Sequence, residues 1–393
     1  MKKVLRKIHL WLSVPTGIII TLVCFSGAML VFEKEITEAI KPELYFVKDA
    51  KGEPIPMQQL MEKVEETLPD SVSISGVTVF ADSTRTYQVS LSKPRRASIY
   101  VNQYTGEVTG RSERLPLFNT MFHLHRWLLG SSSGVGKLLT GICTPVLVFI
   151  LVTGILMWLT NRNKPLKASL AIHVTKGWRR FWHDLHVAGG IYTTIFLLAM
   201  AFTGLTWSFS WYRTGFYACF GVESSEKGGA HGEGGNSHGE GRGSRGEGRY
   251  SHGDGRNNHE GKRGEGRGFH RRSPYRHWED VLNEVALKNP GYQQITLKPR
   301  VAEVVPEGRL SMRAADKYSY DRRSGEITDV QLYSAGKKDT KVRSGVYMVH
   351  TGSWGGIITR ILNFLAAFIG ATLPLTGYWL WFRRKRAAIA HHH

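Results

Sequence analysis

Eight histidines carry whatever metal chemistry this chain has: His9, His123, His125, His173, His183, His186, His277 and His350. The remaining histidines fall in a Gly-rich tract or at the end of the chain, where His391, His392 and His393 resemble the remnant of a purification tag. Three cysteines, Cys24, Cys143 and Cys219, with no C-x-x-C pair, exclude a disulfide framework, a Cys-ligated zinc site and an iron–sulfur cluster. Closed zinc sites recruit carboxylates or thiolates, and the motif around His183 and His186 holds one acid, Asp184. A haem iron asks for less, two axial imidazoles from opposite faces of the macrocycle, and it suits apolar, aromatic helices. The pattern therefore favours haem, and the absence of C-x-x-C-H excludes covalent c-type attachment.

Ligands of this kind need rigid segments to hold them. Four runs, roughly 10–32, 137–159, 187–212 and 356–382, are long and apolar enough to cross a bilayer as helices. Pro15, Pro145 and Pro374 lie inside them, which membrane helices tolerate. Lys2, Lys3, Arg6 and Lys7 precede the first run, Arg162, Lys164, Lys167, Lys176, Arg179 and Arg180 lie between the second and third, and Arg383, Arg384, Lys385 and Arg386 follow the fourth. No acid accompanies them within those basic stretches, so they mark the cytoplasmic side. The other two connections are nearly charge-balanced, with 11 Lys+Arg against 13 acids over 33–122 and 24 against 18 over 213–349, and are read as external. Part of the net charge of +20 is thus a topology signal, and nucleic-acid binding is not indicated. The expected protein is an α-helical integral membrane protein with both termini cytoplasmic.

The chain is written twice. His9 is followed eighteen residues later by Gly27 of Ser26-Gly27, as His186 is by Gly204 of Thr203-Gly204. The second and fourth apolar runs share Thr153-Gly154 and Thr376-Gly377. Two parallel repeats related by an axis along the membrane normal are expected. In the external loops, Val101 to Val108 resembles Tyr320 to Ile327, each a strand, a turn opened by Asn or Asp, and a strand. Strands over 73–80 and 86–91 and helices over 57–68 and 278–287 complete two small α+β modules. The expected organisation is 1–32, N-terminus and first membrane helix; 33–122, external module one; 123–160, outer His segment and second helix; 161–182, basic loop; 183–212, inner His segment and third helix; 213–349, external module two; 350–386, outer His segment and fourth helix; and 387–393, tail. Within the second module, 221–272 is a Gly/His/Arg/Glu-rich insertion too poor in apolar residues to build a core.

This topology sorts the histidines into two layers. His9 and His183/His186 lie at the cytoplasmic ends of the first and third helices; His123/His125 and His350 precede the second and fourth on the outer side. Pairing equivalent positions gives His9 with His186 and His125 with His350, hence two haems. His183, three residues from His186, is an alternate ligand or propionate partner, while His123, two residues from His125, should point elsewhere. Eighteen helical residues span about 27 Å, so the layers lie near opposite membrane faces and form a path for electrons. Gly130, Gly134 and Gly136 after His125, and Gly352, Gly355 and Gly356 after His350, are expected to let the outer segments bend.

Ile8-His9-Leu10-Trp11-Leu12, Leu124-His125-Arg126-Trp127-Leu128, Asp184-Leu185-His186 and His350-Thr351-Gly352, each with its Ser/Thr-Gly pair, resemble the PepSY-associated transmembrane family. That family includes bacterial inner-membrane reductases for ferric siderophores. The resemblance covers the chain except 221–272, and the two Gly-Glu-Val/Ile turns resemble PepSY modules. It implies b-type haems carrying electrons outward to ferric iron in a siderophore or other chelate, with release because such chelates hold ferrous iron weakly. Some members carry a fused flavoprotein. This chain continues only a few residues past Arg386, so a cytoplasmic flavin reductase or membrane quinol is the expected donor. Two other classes compete: a non-redox PepSY interaction or regulatory protein, and an accessory for haem or siderophore transport. Against transport, the apolar runs hold few acids or broken polar stretches.

Overall fold

Backbone polar groups placed in lipid must bond within their own segment, and a helix does this for every residue of an apolar run. In a computed structural model of the chain, which describes residues 2–48, 50, 52–94, 97–160, 166–222, 273, 275–309 and 311–390, four helices are long and apolar enough to cross a membrane: Lys2–Leu30, Val135–Leu159, Trp178–Ser208 and Ser353–Arg386. Arg162, Lys164, nearly all of the Gly/His-rich tract and the three terminal histidines lie outside the described residues. In chain order the helices are α1 (Lys2–Leu30), α2 (Glu33–Ile40), α3 (Pro42–Tyr45), α4 (Met57–Glu66), α5 (Pro116–Trp127), α6 (Val135–Leu159), α7 (Leu166–Ser169), α8 (Trp178–Asp184), α9 (Gly190–Ser208), α10 (Ser210–Ala218), α11 (Trp278–Lys288), α12 (Lys338–Thr351) and α13 (Gly356–Ala390). A π-helical turn, Leu185–Gly189, makes α8 and α9 one continuous rod.

α1 packs against α6 and α13, and α9 packs against the same two helices, so α1 and α9 occupy one diagonal of a four-helix ring. Close approach needs small residues at the crossings. A Cβ on Gly17 would fall 2.5 Å from the Tyr378 hydroxyl, and one on Gly370 would fall 2.9 Å from Leu197. Outward, Trp11, Ile18, Phe149, Ile195 and Ile358 are exposed, an apolar surface suited to acyl chains.

The strands β1 (Ile74–Phe80), β2 (Tyr87–Leu91), β3 (Ser98–Val101), β4 (Val108–Arg111), β5 (Tyr292–Lys298), β6 (Val301–Pro306), β7 (Asp316–Tyr320) and β8 (Ile327–Gln331) form one antiparallel sheet in the order β4-β3-β2-β1-β5-β6-β7-β8. This corrects the expectation of two separate modules. β1 pairs with β5, Val77 opposite Leu297 and Val79 opposite Ile295, and the Thr78 and Thr296 hydroxyls bond across the join at 2.9 Å. The physical reason is edge protection: β1 and β5 are each the inner edge of a four-stranded half, and pairing removes both unpaired edges. α4 and α11 cover one face of the sheet, burying Leu60, Met61, Val64, Trp278, Val281 and Val285 against Val77, Val89, Ile295, Leu297 and Val304 in one core. The hairpin β5–β6, turning at Pro299-Arg300, was not anticipated from sequence. The turns at 102–107 and 321–326 are as expected, with the Asn102 and Asp321 side chains accepting backbone N–H groups and Gly106 and Gly325 at φ +76° and +81°. Gly221 and Val222, counted by sequence with the insertion, belong to the folded part: Val222 is buried against Tyr217 and Val346.

Ion pairs tie the sheet to the helices. Arg360 of α13 clamps the Glu35 carboxylate and also donates to the Val31 carbonyl. Arg114 donates to Glu33 through Nε at 2.6 Å, and Arg85 pairs with Glu38. The hydrogen bond from Arg360 holds the Glu35 carboxyl below its usual range. A carboxylate depressed in the folded state stabilises above its unfolded pKa, and that stabilisation is lost as pH falls through the lower folded value. Thermal unfolding midpoints at about pH 7 and about pH 3 should therefore lie closer together in Arg360→Met than in wild type. An equal drop in both proteins would show that the clamp contributes nothing.

Candidate functional site: two histidine pairs and their cradles

His9 on α1 and His186 in the π-helical turn meet across the bundle diagonal, ring centres 6.4 Å apart and planes at 86°. At the sheet end, His125 on α5 and His350 on α12 meet with ring centres 6.0 Å apart and planes at 56°. The two pairs anticipated from sequence are thus the pairs that the fold brings together. Gly27, which borders His125, lies eighteen residues along α1 from His9, about 27 Å of helix.

Each imidazole is held in the same way. The Nδ1 atoms contact the carbonyls of Ile150 (His9, 3.1 Å), Leu373 (His186, 3.1 Å), Val23 (His125, 2.9 Å) and Met200 (His350, 3.0 Å). Every one of these carbonyls lies four residues before a glycine: Gly154, Gly377, Gly27 and Gly204. In a helix, the carbonyl of residue i points at residue i+4, whose Cβ would screen its second lone pair. Glycine leaves that lone pair open, and the ring carbon Cε1 fills the space. A Cβ on Gly27 would fall 2.8 Å from His125 Cε1, on Gly204 3.2 Å from His350, on Gly377 3.3 Å from His186 and on Gly154 3.6 Å from His9.

The residue before each glycine carries a hydroxyl. Thr153, Thr376 and Thr203 donate back to their own helices and offer their oxygens to the same Nδ1 atoms at 3.0, 2.9 and 3.1 Å. Ser26 also donates to its own helix but does not reach His125. Because a carbonyl oxygen only accepts, Nδ1 is the protonated nitrogen in all four rings, and Nε2 keeps its lone pair. None of the four Nε2 atoms hydrogen-bonds to a described residue. A backbone carbonyl behind Nδ1–H is the usual support of a metal-bound histidine: it fixes ring orientation and raises basicity at the other nitrogen.

The supporting segments explain how His125 and His350 are placed. α5 ends in two left-handed residues, Leu128 (φ 49°) and Leu129 (φ 66°), a conformation rare for leucine. At the equivalent turn after α12, Gly352 (φ 76°) adopts it without strain. The bend was expected, but in the first case leucines, not the neighbouring glycines, make it. Gly136 permits it, since a Cβ there would fall 1.8 Å from the Trp127 carbonyl. The Asn363 amide caps α12 by donating to the Val349 and His350 carbonyls. Trp207 lies edge-on against His350, ring centres 5.0 Å apart.

His183 and His123 join neither pair. His183 lies in α8, ahead of the π-helical turn that holds His186, and its Nδ1 lies 3.4 Å from Asp184. His123 packs on Trp127 and Phe122. His277 borders the Gly325 turn, outside both pairs. Sequence reading missed the cradles, although their Ser/Thr-Gly signature was visible as a repeat. It also gave no role to His173, which the fold sets against Asp184.

Among the described residues, no group of three or more His, Cys, Asp or Glu side chains is arranged to hold a metal ion. With a metal–imidazole bond of about 2 Å and slightly over ~1 Å from nitrogen to ring centre, two imidazoles on opposite sides of one metal atom have centres about 6 Å apart. Each pair has this separation and supplies two bare nitrogens, the donor set of a metal whose equatorial positions come from a macrocycle.

The sequence profile of the PepSY-associated TM region matches residues 6–384, and the chain belongs to that family. No curated protein matches it. In ¹⁵N spectra of histidine-labelled protein free of cofactor, the four paired imidazoles are expected in the Nδ1–H form. Gly27→Ala should alter one of those signals most, because His125 must move, while Gly154→Ala, where an added Cβ would lie 3.6 Å from His9 Cε1, should alter the His9 signal least. Nε2–H signals from these residues would contradict the cradle assignment.

Proposed function

We propose that this family member is a transmembrane di-haem electron-transfer protein, an oxidoreductase that reduces ferric iron in a siderophore or other chelate at the sheet end. The observation that carries this reading is the presence of two cradled histidine pairs at opposite ends of one helix bundle, each with the separation and free nitrogens of a bis-imidazole site. In this reading His9 and His186 bind one b-type haem, and His125 and His350 bind the other. A b-type haem supplies reversible one-electron storage at its iron.

The chain's own residues set the conditions. The four carbonyl cradles keep each imidazole in the tautomer that presents Nε2, so no side chain has to turn over when charge changes at the site. The apolar residues of α1, α6, α9 and α13 exclude water between the two levels. Trp207 packs the His350 ring from the sheet side. The two halves of the bundle and of the sheet are proposed as parallel repeats, with the sheet halves as PepSY-like modules.

Basic residues at the His9/His186 end support placing that end in the cytoplasm of a bacterium and the sheet in the periplasm. Electrons then travel outward from a cytoplasmic flavin reductase or membrane quinol. The connection 213–349 has six more basic than acidic residues, 24 against 18, which favours anionic chelates and predicts weaker capture in salt.

Purified protein should contain two six-coordinate b-type haems per chain, and His125→Ala or His350→Ala should remove one. In liposomes of known orientation, a reductant at the His9 end should reduce both haems, and a ferric chelate on the sheet side should reoxidise them. His9→Ala or His186→Ala should block reduction from the first side while leaving the other haem reducible from the sheet side. Protein without haem, or reduced protein that ferric chelates leave reduced, would overturn the assignment in favour of a non-redox interaction protein.

A further inference from the structure

At the His9/His186 end, a second cluster of titratable groups surrounds a buried carboxylate. Asp184 is 4 % exposed. Its Oδ2 accepts from His173 Nδ1 at 2.7 Å and from Arg180 Nε at 2.8 Å, and Oδ1 faces His183 Nδ1 at 3.4 Å. The segment bearing His173 is fastened over the end of the bundle. Trp158 at the end of α6 donates to the Ser169 hydroxyl at 2.8 Å, and Tyr192 of α9 donates to the Leu170 carbonyl at 3.0 Å. The His173 backbone N–H also donates to Asp184, at 3.3 Å.

The consequence is a histidine in a fixed tautomer. A carboxylate on Nδ1–H leaves Nε2 as a bare, accessible lone pair, the arrangement of a proton-accepting imidazole held by a carboxylate. The helix that carries Asp184, α8, also bears an aromatic cluster. Trp178 and Trp182 stack at 5.7 Å and 22°, Phe181 packs edge-on against both, and Trp178 is 72 % exposed, with Ile172 and Val174 also exposed nearby in the chain. Asp184 precedes His186 by two residues on the same helical rod, about 3 Å of rise. A proton acceptor, an exposed flat apolar surface and one histidine pair therefore converge at one end of a membrane-length helix.

We propose that His173, oriented by Asp184, forms together with the exposed Trp178 of α8 a binding and oxidation site for a membrane hydroquinone. This rests on the redox reading above and names the donor. An uncharged aromatic diol matches the surface: its ring stacks on the exposed indole and one hydroxyl donates to His173 Nε2. On oxidation both O–H bonds break and the ring becomes a quinone. One proton passes to His173 Nε2 and the other to water at the exposed edge of the cluster. The two electrons reduce two ferric ions of the chelate to ferrous, one at a time.

The test uses the whole protein in lipid nanodiscs and two readouts. The first, independent of redox turnover, is equilibrium binding of a tritiated hydroxyquinoline N-oxide, an unreactive quinol analogue. Wild type should bind one per chain, and His173→Ala and Trp178→Ala should each weaken binding about tenfold or more. The second is haem reduction by a short-chain menaquinol. His173→Ala should slow it on the order of a hundredfold, with haem content and reoxidation of dithionite-reduced protein by ferric chelate unchanged. His173→Gln, which keeps a hydrogen-bonding side chain without a strong base, should recover binding more than rate. Wild-type binding and rate in His173→Ala, loss of haem in that variant, or faster reduction by dihydroflavin than by quinol would each overturn the site. Failure of ferric chelate to reoxidise wild-type protein would instead overturn the reductase reading and leave the binding result standing.

Discussion

The bundle depends on a hydrogen bond that a helix does not ordinarily offer. A backbone carbonyl in mid-helix has already accepted its own i+4 N–H, and its second lone pair is usually screened by the side chain at that position. Glycine at i+4 uncovers it, and a histidine from a neighbouring segment donates Nδ1–H into the opening. Four such contacts, at Val23, Ile150, Met200 and Leu373, dictate which helices are neighbours. α1 must lie against α6 to reach Ile150 and against α5 to receive His125. The π-helical turn must lie against α13, and α12 against α9.

This division of labour accounts for the spacing of His9 to Gly27 and of His186 to Gly204. Each of the two rods carries a paired histidine at one end and a cradle for a different histidine at the other, so its eighteen-residue interval sets the depth between the two pairs. α6 and α13 contribute cradles only, through Gly154 and Gly377; α5 and α12 contribute histidines only. A mid-helix glycine costs about 1 kcal/mol relative to alanine in an exposed helix. Here the cost is offset by a buried hydrogen bond whose donor would otherwise be unpaired in apolar surroundings, a penalty of about 1–3 kcal/mol.

The sheet serves the same end from outside. Its two halves are joined through β1 and β5, and α2 is held by Arg85 just before β2, by Arg114 between β4 and α5, and by Arg360 of α13. Since α5 and α12 emerge directly from the two halves, a rigid eight-stranded sheet fixes where His125 and His350 enter the bundle. Two independent modules would leave those histidines free to drift relative to each other; one shared core does not.

Sequence alone determined what periodicity, composition and residue type can carry. Four apolar runs, the two hairpin turns, the helices at Met57 and Trp278 and the pairing of His9 with His186 and of His125 with His350 were all legible, because each follows from local pattern or from the internal correspondence of the chain. The reasons for those pairings were not. That Gly27 opens the Val23 carbonyl to His125 requires knowing that α5 lies against α1, a contact between residues about a hundred positions apart. The fused sheet was hidden because strand pairing depends on backbone register, which Val77 and Leu297 do not encode singly. The π-helical turn at Leu185–Gly189 that carries His186 has no residue signature. Only tertiary structure decided these points, because each is an interaction between segments whose own sequences are satisfied by many partners.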